Sequence, residues 1–184
     1  MVTTRKMTLE EYLELPQAKP YLEFVDGEVV EKMSPQAQHS RIQGALLAMF
    51  GSLKPYGYEA LSELHSLFGR PARGYIPDVV IVATSRLQRD ERGRVFGPIN
   101  FAPEIAIEIL SPDDRAGRVL EKLTFYMDNG VQLALVIDPD IERVSVYRPG
   151  QAPLLFPRSA TIDLSPVIPD FSMELEKVFG ALEE

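Results

Sequence analysis

Two carboxylates stand inside runs that otherwise read as buried β-strand. Asp78 lies in Tyr75-Ile76-Pro77-Asp78-Val79-Val80-Ile81-Val82, and Glu108 in Glu104-Ile105-Ala106-Ile107-Glu108-Ile109-Leu110. A lone carboxylate in such a run is costly to desolvate unless something compensates it. Two of them on neighbouring strands point to a shared cation. Mg²⁺ or Mn²⁺ suits the pair, being a hard ion that takes oxygen ligands; Mg²⁺ in particular keeps several waters. Held by Asp78, Glu108 and the backbone carbonyl of Ile109 beside a phosphate, such an ion would polarise phosphorus and lower the pKa of an attacking water. That is the chemistry of a metal-dependent phosphodiesterase. In the alternative, either acid ends a strand and meets only solvent or an arginine, since structural ion pairs perturb carboxylates too.

Hydrolysis of this kind also needs a cation to orient water and offset charge in the transition state. Lys122 is the candidate. Val119, Leu123, Tyr126 and Met127 form the apolar stripe of a predicted helix, and Lys122 lies about 40° outside Tyr126, at the rim of that stripe. Its stem can lie along the core while its ammonium reaches the sheet. Glu28 could add a carboxylate to the metal's surroundings, and His39 could bind phosphate or a water. Without the acids, Glu28 reads as an exposed hairpin residue and His39 as a first-turn helix residue. His65 reads as a packing or surface histidine.

The elements that must position these groups are legible in outline. Thr8-Leu9-Glu10-Glu11 is a capping box that opens a short helix ending before Pro16. Asp26-Gly27, between Tyr21–Val25 and Glu28–Met33, predicts a hairpin. Ser34 is the expected cap and Pro35 the first residue of a helix carrying Ile42, Leu46, Met49, Phe50 and Leu53, closed by Pro55 and Gly57. Strand-like segments follow near 58–68, 75–83 and 104–110. Alternation puts Val79 and Ile81 on one face and Asp78, Val80 and Val82 on the other; it likewise separates Ile105, Ile107 and Ile109 from Ala106, Glu108 and Leu110. A polar loop spans roughly 84–103. A helix runs from about 117 to 129, stopped by Gly130. Gln132–Asp138 and Arg143–Tyr147 form a second predicted hairpin. One or two edge strands are expected in 149–169 and a helix in 172–182. This order indicates a mixed-sheet α/β or α+β fold in one domain, with a core of about 20–148 and a C-terminal extension from 149.

Bulk composition narrows the classes. The chain has 184 residues and no Cys, which excludes disulfides and thiolate metal sites. Two His and no Cys argue against a zinc enzyme. No run approaches a membrane span, and Met1–Lys6 lacks the apolar stretch of a secretory signal, so a cytoplasmic protein without a membrane partner is expected. The net charge of −8 argues against a protein that coats DNA through bulk positive charge. A local basic patch at Arg86, Arg89, Arg92 and Arg94 could still contact nucleic acid, or simply be a solvated loop. There is no P-loop, no Gly-x-Gly-x-x-Gly and no Gly-x-Ser-x-Gly.

Several strings taken in order carry a resemblance. They are Glu23-Phe24-Val25-Asp26-Gly27-Glu28-Val29-Val30, Met33-Ser34-Pro35 with His39 following, Pro77-Asp78-Val79, Glu108-Ile109-Leu110-Ser111-Pro112, Glu121-Lys122-Leu123, Tyr126, Gly130-Val131 and Val136-Ile137-Asp138-Pro139. Together, over about 20–148, they resemble the Uma family of putative restriction endonucleases in the PD-(D/E)XK nuclease superfamily. The resemblance implies a restriction-endonuclease-like mixed sheet flanked by helices. It implies Asp78 and Glu108 as metal ligands and Lys122 as a migrated lysine. The superfamily's usual lysine position, two after the second acid, holds Leu110. Arg118 stands where an acidic residue is expected, and Leu133-Ala134 where an aromatic is common. The expected function is a metal-dependent endonuclease acting on DNA. The alternative is an inactive nuclease-fold protein that binds nucleic acid or a protein partner. Two cuts on opposite strands would call for a homodimer or higher homo-oligomer.

Overall fold

The computed structural model describes residues 6–16, 19–32 and 35–183. In chain order the elements are α1 (Leu9–Leu13), β1 (Leu22–Val25), β2 (Glu28–Glu31), α2 (Ala37–Phe50), β3 (Tyr58–Ser62), β4 (Ser66–Phe68), β5 (Arg73–Tyr75) and β6 (Val79–Ala83). They continue with β7 (Ile105–Ile109), α3 (Ala116–Asp128), β8 (Leu133–Asp138), β9 (Arg143–Tyr147), β10 (Leu154–Pro157), β11 (Thr161–Asp163), β12 (Ser172–Glu174) and α4 (Leu175–Phe179). A six-stranded sheet has the order β10-β9-β8-β7-β6-β3, and a four-stranded sheet the order β2-β1-β5-β4. Strands β7 and β8 pair in parallel, joined by α3 as a crossover, while the other pairs in the large sheet are antiparallel. The fold is therefore the expected mixed α/β sheet with flanking helices and an N-terminal hairpin.

Alternation along β6 and β7 decides what each face of the large sheet meets. Val79, Ile81, Ile105, Ile107 and Ile109 pack with Ile42, Leu46 and Phe50 of α2 and with Leu164, Met173, Val178 and Phe179 from the C-terminal region. On the opposite face, Ala106, Ala134 and Val136 pack with Leu123, Phe125 and Tyr126 of α3 and with Phe68 and Tyr75 of the small sheet. Central strands covered on both faces read as near-continuous apolar runs, so a carboxylate in them is conspicuous.

The hairpin turn forms because Asp26 and Gly27 both take positive φ, 51° and 89°, the geometry this dipeptide favours. Arg73 of β5 pairs with Asp26 at that turn and, at 3.2 Å, with Glu121 of α3. One guanidinium thus ties the small sheet to the helix that carries Lys122. At α1, Thr8 and Glu11 form the expected reciprocal cap.

Four expectations need correction. The 58–68 segment is two strands in different sheets, because the chain breaks direction at Glu63, which has a φ of 49°. The 75–83 segment also divides: Tyr75 ends β5 and Val79 begins β6, with Pro77, which has no amide to donate, between them. Asp78 therefore precedes its strand instead of lying within it. Helix α2 starts at Ala37 with Gln36 as its N-cap and no side-chain cap bond; Ser34, the expected cap, lies outside the described residues. The 172–182 tail begins as β12, and only then forms α4 and a 3-10 turn. No helix among the described residues is long and apolar enough to cross a membrane.

Candidate active site

Two donors hold the Asp78 backbone at its carbonyl oxygen. Its carbonyl accepts the Glu63 amide at 3.2 Å and the Gln43 side-chain amide at 2.9 Å. Because β6 and β7 pair Val79 with Ile107 and Val80 with Ala106, one further step of that register puts Asp78 opposite Glu108. The two acids are thus neighbours across the strand pair and share its α3-facing side. Asp78 is 3% exposed. Its Oδ2 accepts the Ile109 backbone N–H at 2.7 Å. Its Oδ1 lies 2.7 Å from Lys32 Nζ and 3.1 Å from His39 Nε2. Burial acts to raise its pKa, but the Lys32 charge and the hydrogen bond and charge of His39 outweigh burial and hold the carboxyl well below its ordinary range.

Glu108 is also buried. Its Oε1 accepts the Tyr126 hydroxyl at 2.7 Å, and its Oε2 lies 3.0 Å from Lys122 Nζ. Lys122 and Tyr126 are four residues apart on α3, so one helix face delivers both. Lys122 has a second anchor, Glu23 Oε1 at 2.8 Å, and that oxygen also accepts the Ile76 N–H at 2.9 Å. Burial pushes the Glu108 carboxyl up to about 7, with Asp78 adding to the effect and Lys122 opposing it. Burial works against the Lys122 ammonium, yet Glu108 and Glu23 keep it charged well above its ordinary range. The Tyr126 phenol is held neutral, first by burial and then by the Glu108 charge.

Apart from Tyr126, these groups line one cavity of about 810 Å³. Its walls include Glu23, Lys32, His39, Asp78, Glu108, Ile109 and Lys122, and its edge includes Glu28 and the exposed Lys6, Arg115 and Arg118. Asp78, Glu108, Ile109, Lys122, Glu28 and His39 are therefore brought together. The arginine patch is not. Arg86 pairs with Glu104 and stacks on Phe101, Arg94 pairs with Asp90, and Arg89 donates to the Gly93 carbonyl. That loop follows the far end of β6 from Asp78, and none of its four arginines lines the cavity.

Sequence reasoning did not find Glu23 or Lys32 as site residues, nor Tyr126 as the partner of Glu108. Glu23 alternates with the buried Phe24 on β1 and so faces away from it. Only the approach of the small sheet to the large one brings its carboxylate to Lys122.

The donor chemistry fits a small hard cation. Two carboxylates and the strand backbone at Ile109 line the cavity, and Mg²⁺ characteristically takes one or two carboxylates and keeps its waters. Among the described residues, no three His, Asp or Glu side chains form a cage of their own.

Residues 9–176 match the Uma2 family, described as "Putative restriction endonuclease". Among solved structures, the chain is similar to a putative nuclease belonging to DUF820 from Anabaena variabilis ATCC 29413. The two are 32% identical, the match covers 96% of this chain and 99% of that one, and the TM-score is 0.87. No curated protein matches the chain.

Proposed function

The chain belongs to the Uma2 family of putative restriction endonucleases, and from that premise we propose that it is a metal-dependent endonuclease hydrolysing phosphodiester bonds in DNA. The observation that carries the reading is the facing of Asp78 and Glu108 in one cavity, with the Lys122 ammonium 3.0 Å from Glu108. Asp78, Glu108 and the Ile109 carbonyl would hold Mg²⁺ or Mn²⁺. When bound, that ion acts as a Lewis acid on the phosphate and lowers the pKa of a water. Lys122, fixed by Glu23 and Glu108, orients the attacking water and offsets charge developing on the phosphate oxygens. Tyr126 sets the rotamer of Glu108, and His39 sets that of Asp78. Glu28, at the cavity edge, would add a further carboxylate near the ion. A homodimer supplies two such cavities for the two strands of a duplex.

A second reading has its own support. Both acids already carry an ammonium partner, Lys32 on Asp78 and Lys122 on Glu108, and Leu110 occupies the usual lysine position. A nuclease fold that binds nucleic acid without cutting would tolerate that arrangement.

The test is a cleavage assay on plasmid and single-stranded DNA with Mg²⁺ or Mn²⁺, run beside Asp78→Asn purified identically. Cutting by the wild type alone is expected. Equal cutting by both would assign the activity to a contaminant, and binding of DNA without cutting by the wild type would favour the second reading.

A further inference from the structure

Lys32 follows β2 directly, and its backbone N–H donates to the Tyr21 carbonyl at 2.7 Å, which fixes the root of its side chain beside the cavity. The ammonium lies 2.7 Å from Asp78 Oδ1 and donates to the Ile76 carbonyl at 2.5 Å. The Lys32 side chain is 14% exposed and that of Asp78 4%, so the pair is largely withdrawn from solvent screening. The two lysines of the site differ in how they are held. Lys122 bridges two carboxylates, whereas among the described residues Lys32 pairs with Asp78 alone. The charge of Lys32 also reaches Glu108.

An ammonium in that place and a divalent ion on the same carboxylate would repel each other strongly at short range in a poorly screened cavity. Charge balance favours exchange over coexistence. Glu23, Asp78 and Glu108 bring three carboxylates against the two ammoniums, with the His39 ring also 3.1 Å from Asp78, so a divalent ion added to both ammoniums would leave positive charge in excess. A divalent ion in place of the Lys32 ammonium, with Lys122 retained, neutralises the three. Glu28 and Glu31 line the same cavity and are exposed, so a withdrawn Lys32 has carboxylates to meet at the edge.

We propose that Lys32 is a tethered cation that competes with the divalent ion for Asp78, so that metal loads only as the Lys32 side chain swings out. The inference rests on the metal-dependent reading above. It makes Lys32 a residue that sets metal affinity, separate from Lys122, which acts on the water.

Calorimetric titration of Mn²⁺ into wild type, Lys32→Gln and Lys32→Arg tests it. A site that is competent in only a minor fraction of molecules binds more weakly by that fraction, so Lys32→Gln is expected to tighten Mn²⁺ by about tenfold or more. Lys32→Arg, which keeps the charge, stays at or below wild-type affinity. Thermal unfolding supplies a second readout independent of activity. Lys32→Gln should be less stable than wild type in EDTA, because Asp78 then lacks its ammonium partner and keeps only His39, and should gain more from Mn²⁺ than wild type does. Wild type that binds Mn²⁺ while Lys32→Gln binds it equally or more weakly overturns the inference and leaves the metal reading standing. Absence of Mn²⁺ binding in every variant overturns both.

Discussion

Asp78 Oδ2 accepts the backbone N–H of Ile109 at 2.7 Å. Backbone pairing between β6 and β7 ends at Val79 and Ile107, and beyond that point a side chain does the work of the ladder. The consequence is geometric. The carboxylate of Asp78 is fixed to the residue that follows Glu108, so the spacing of the two acids is set by the sheet and does not depend on a bound ion.

A structural contribution therefore accompanies any chemical one at Asp78, and two substitutions separate them. Asp78→Asn removes the charge but keeps an oxygen for the Ile109 amide. Asp78→Ala removes both and leaves a buried N–H without an acceptor, a loss of about 1–3 kcal/mol. Both variants should lose metal-dependent cleavage under the proposed function, but urea unfolding should place Asp78→Ala below Asp78→Asn by about that amount. Equal stability of the two would mean that the Ile109 bond carries no weight.

Tyr126 offers a finer probe. Its hydroxyl donates to Glu108 Oε1 at 2.7 Å in a fully buried setting. Tyr126→Phe keeps the ring packed against Phe68 and Tyr75 and deletes only the donor. A hydrogen bond to a charged group is worth about 1.5–3 kcal/mol, so the melting temperature should fall. Groups that orient a metal ligand typically account for about 10–100-fold in affinity, so Mn²⁺ binding should weaken within that range. Unchanged Mn²⁺ affinity would remove Tyr126 from the positioning of Glu108.

Local signals in the sequence served where one element satisfies itself. The Thr8–Glu11 cap, the Asp26-Gly27 turn and the Gly130 stop each depend on residues a few positions apart. Period-two alternation likewise separated Val79 and Ile81 from Asp78 on one strand and the three isoleucines of β7 from Glu108 on the next, and both apolar sets pack in one core cluster. What stayed hidden depends on contacts distant in sequence. Lys32 and Glu23 read as ordinary hairpin charges because nothing nearby says that the small sheet will lay them against Asp78 and Lys122. The strand break at Glu63 was hidden for a related reason: apolar content continues across it while the hydrogen-bonding partner changes. The rim position of Lys122 was readable from helical spacing, but its two carboxylate partners were not.

The Glu108 carboxyl gives the site a pH dependence with a defined sign. Burial raises it from an ordinary 4.5 to about 7. Between those values the folded chain holds a proton that the unfolded chain has released, so this group makes stability fall as pH rises through that window. Glu108→Gln should flatten that part of the stability profile. Under the proposed function metal binding runs the other way, because a ligating carboxylate must give up its proton. Mn²⁺ affinity should therefore strengthen as pH rises toward about 7 and level off above it. Titrations on either side of that value check this, and an affinity indifferent to pH would remove Glu108 from the ligand set.

At Lys122 a structural role accompanies the proposed catalytic one, because its ammonium satisfies Glu108 at 3.0 Å and Glu23 at 2.8 Å. Breaking a buried pair by removing one partner costs about 3–5 kcal/mol when the other charge is stranded. In Lys122→Met, however, Glu108 can take a proton, since its pKa is already raised by burial and the opposing Lys122 charge is gone. The destabilisation should thus be smallest at mildly acidic pH and grow as pH rises. A cleavage assay on folded Lys122→Met should show a loss of about 10²–10³ in turnover, the range for deleting one group that stabilises developing charge. Affinity for DNA, measured without divalent ion, should change little. Glu23→Gln should lower turnover less than Lys122→Met does, because Lys122 keeps its Glu108 anchor. Should Glu23→Gln abolish cleavage while Lys122→Met retains it, the catalytic assignment within the pair would move from the lysine to Glu23.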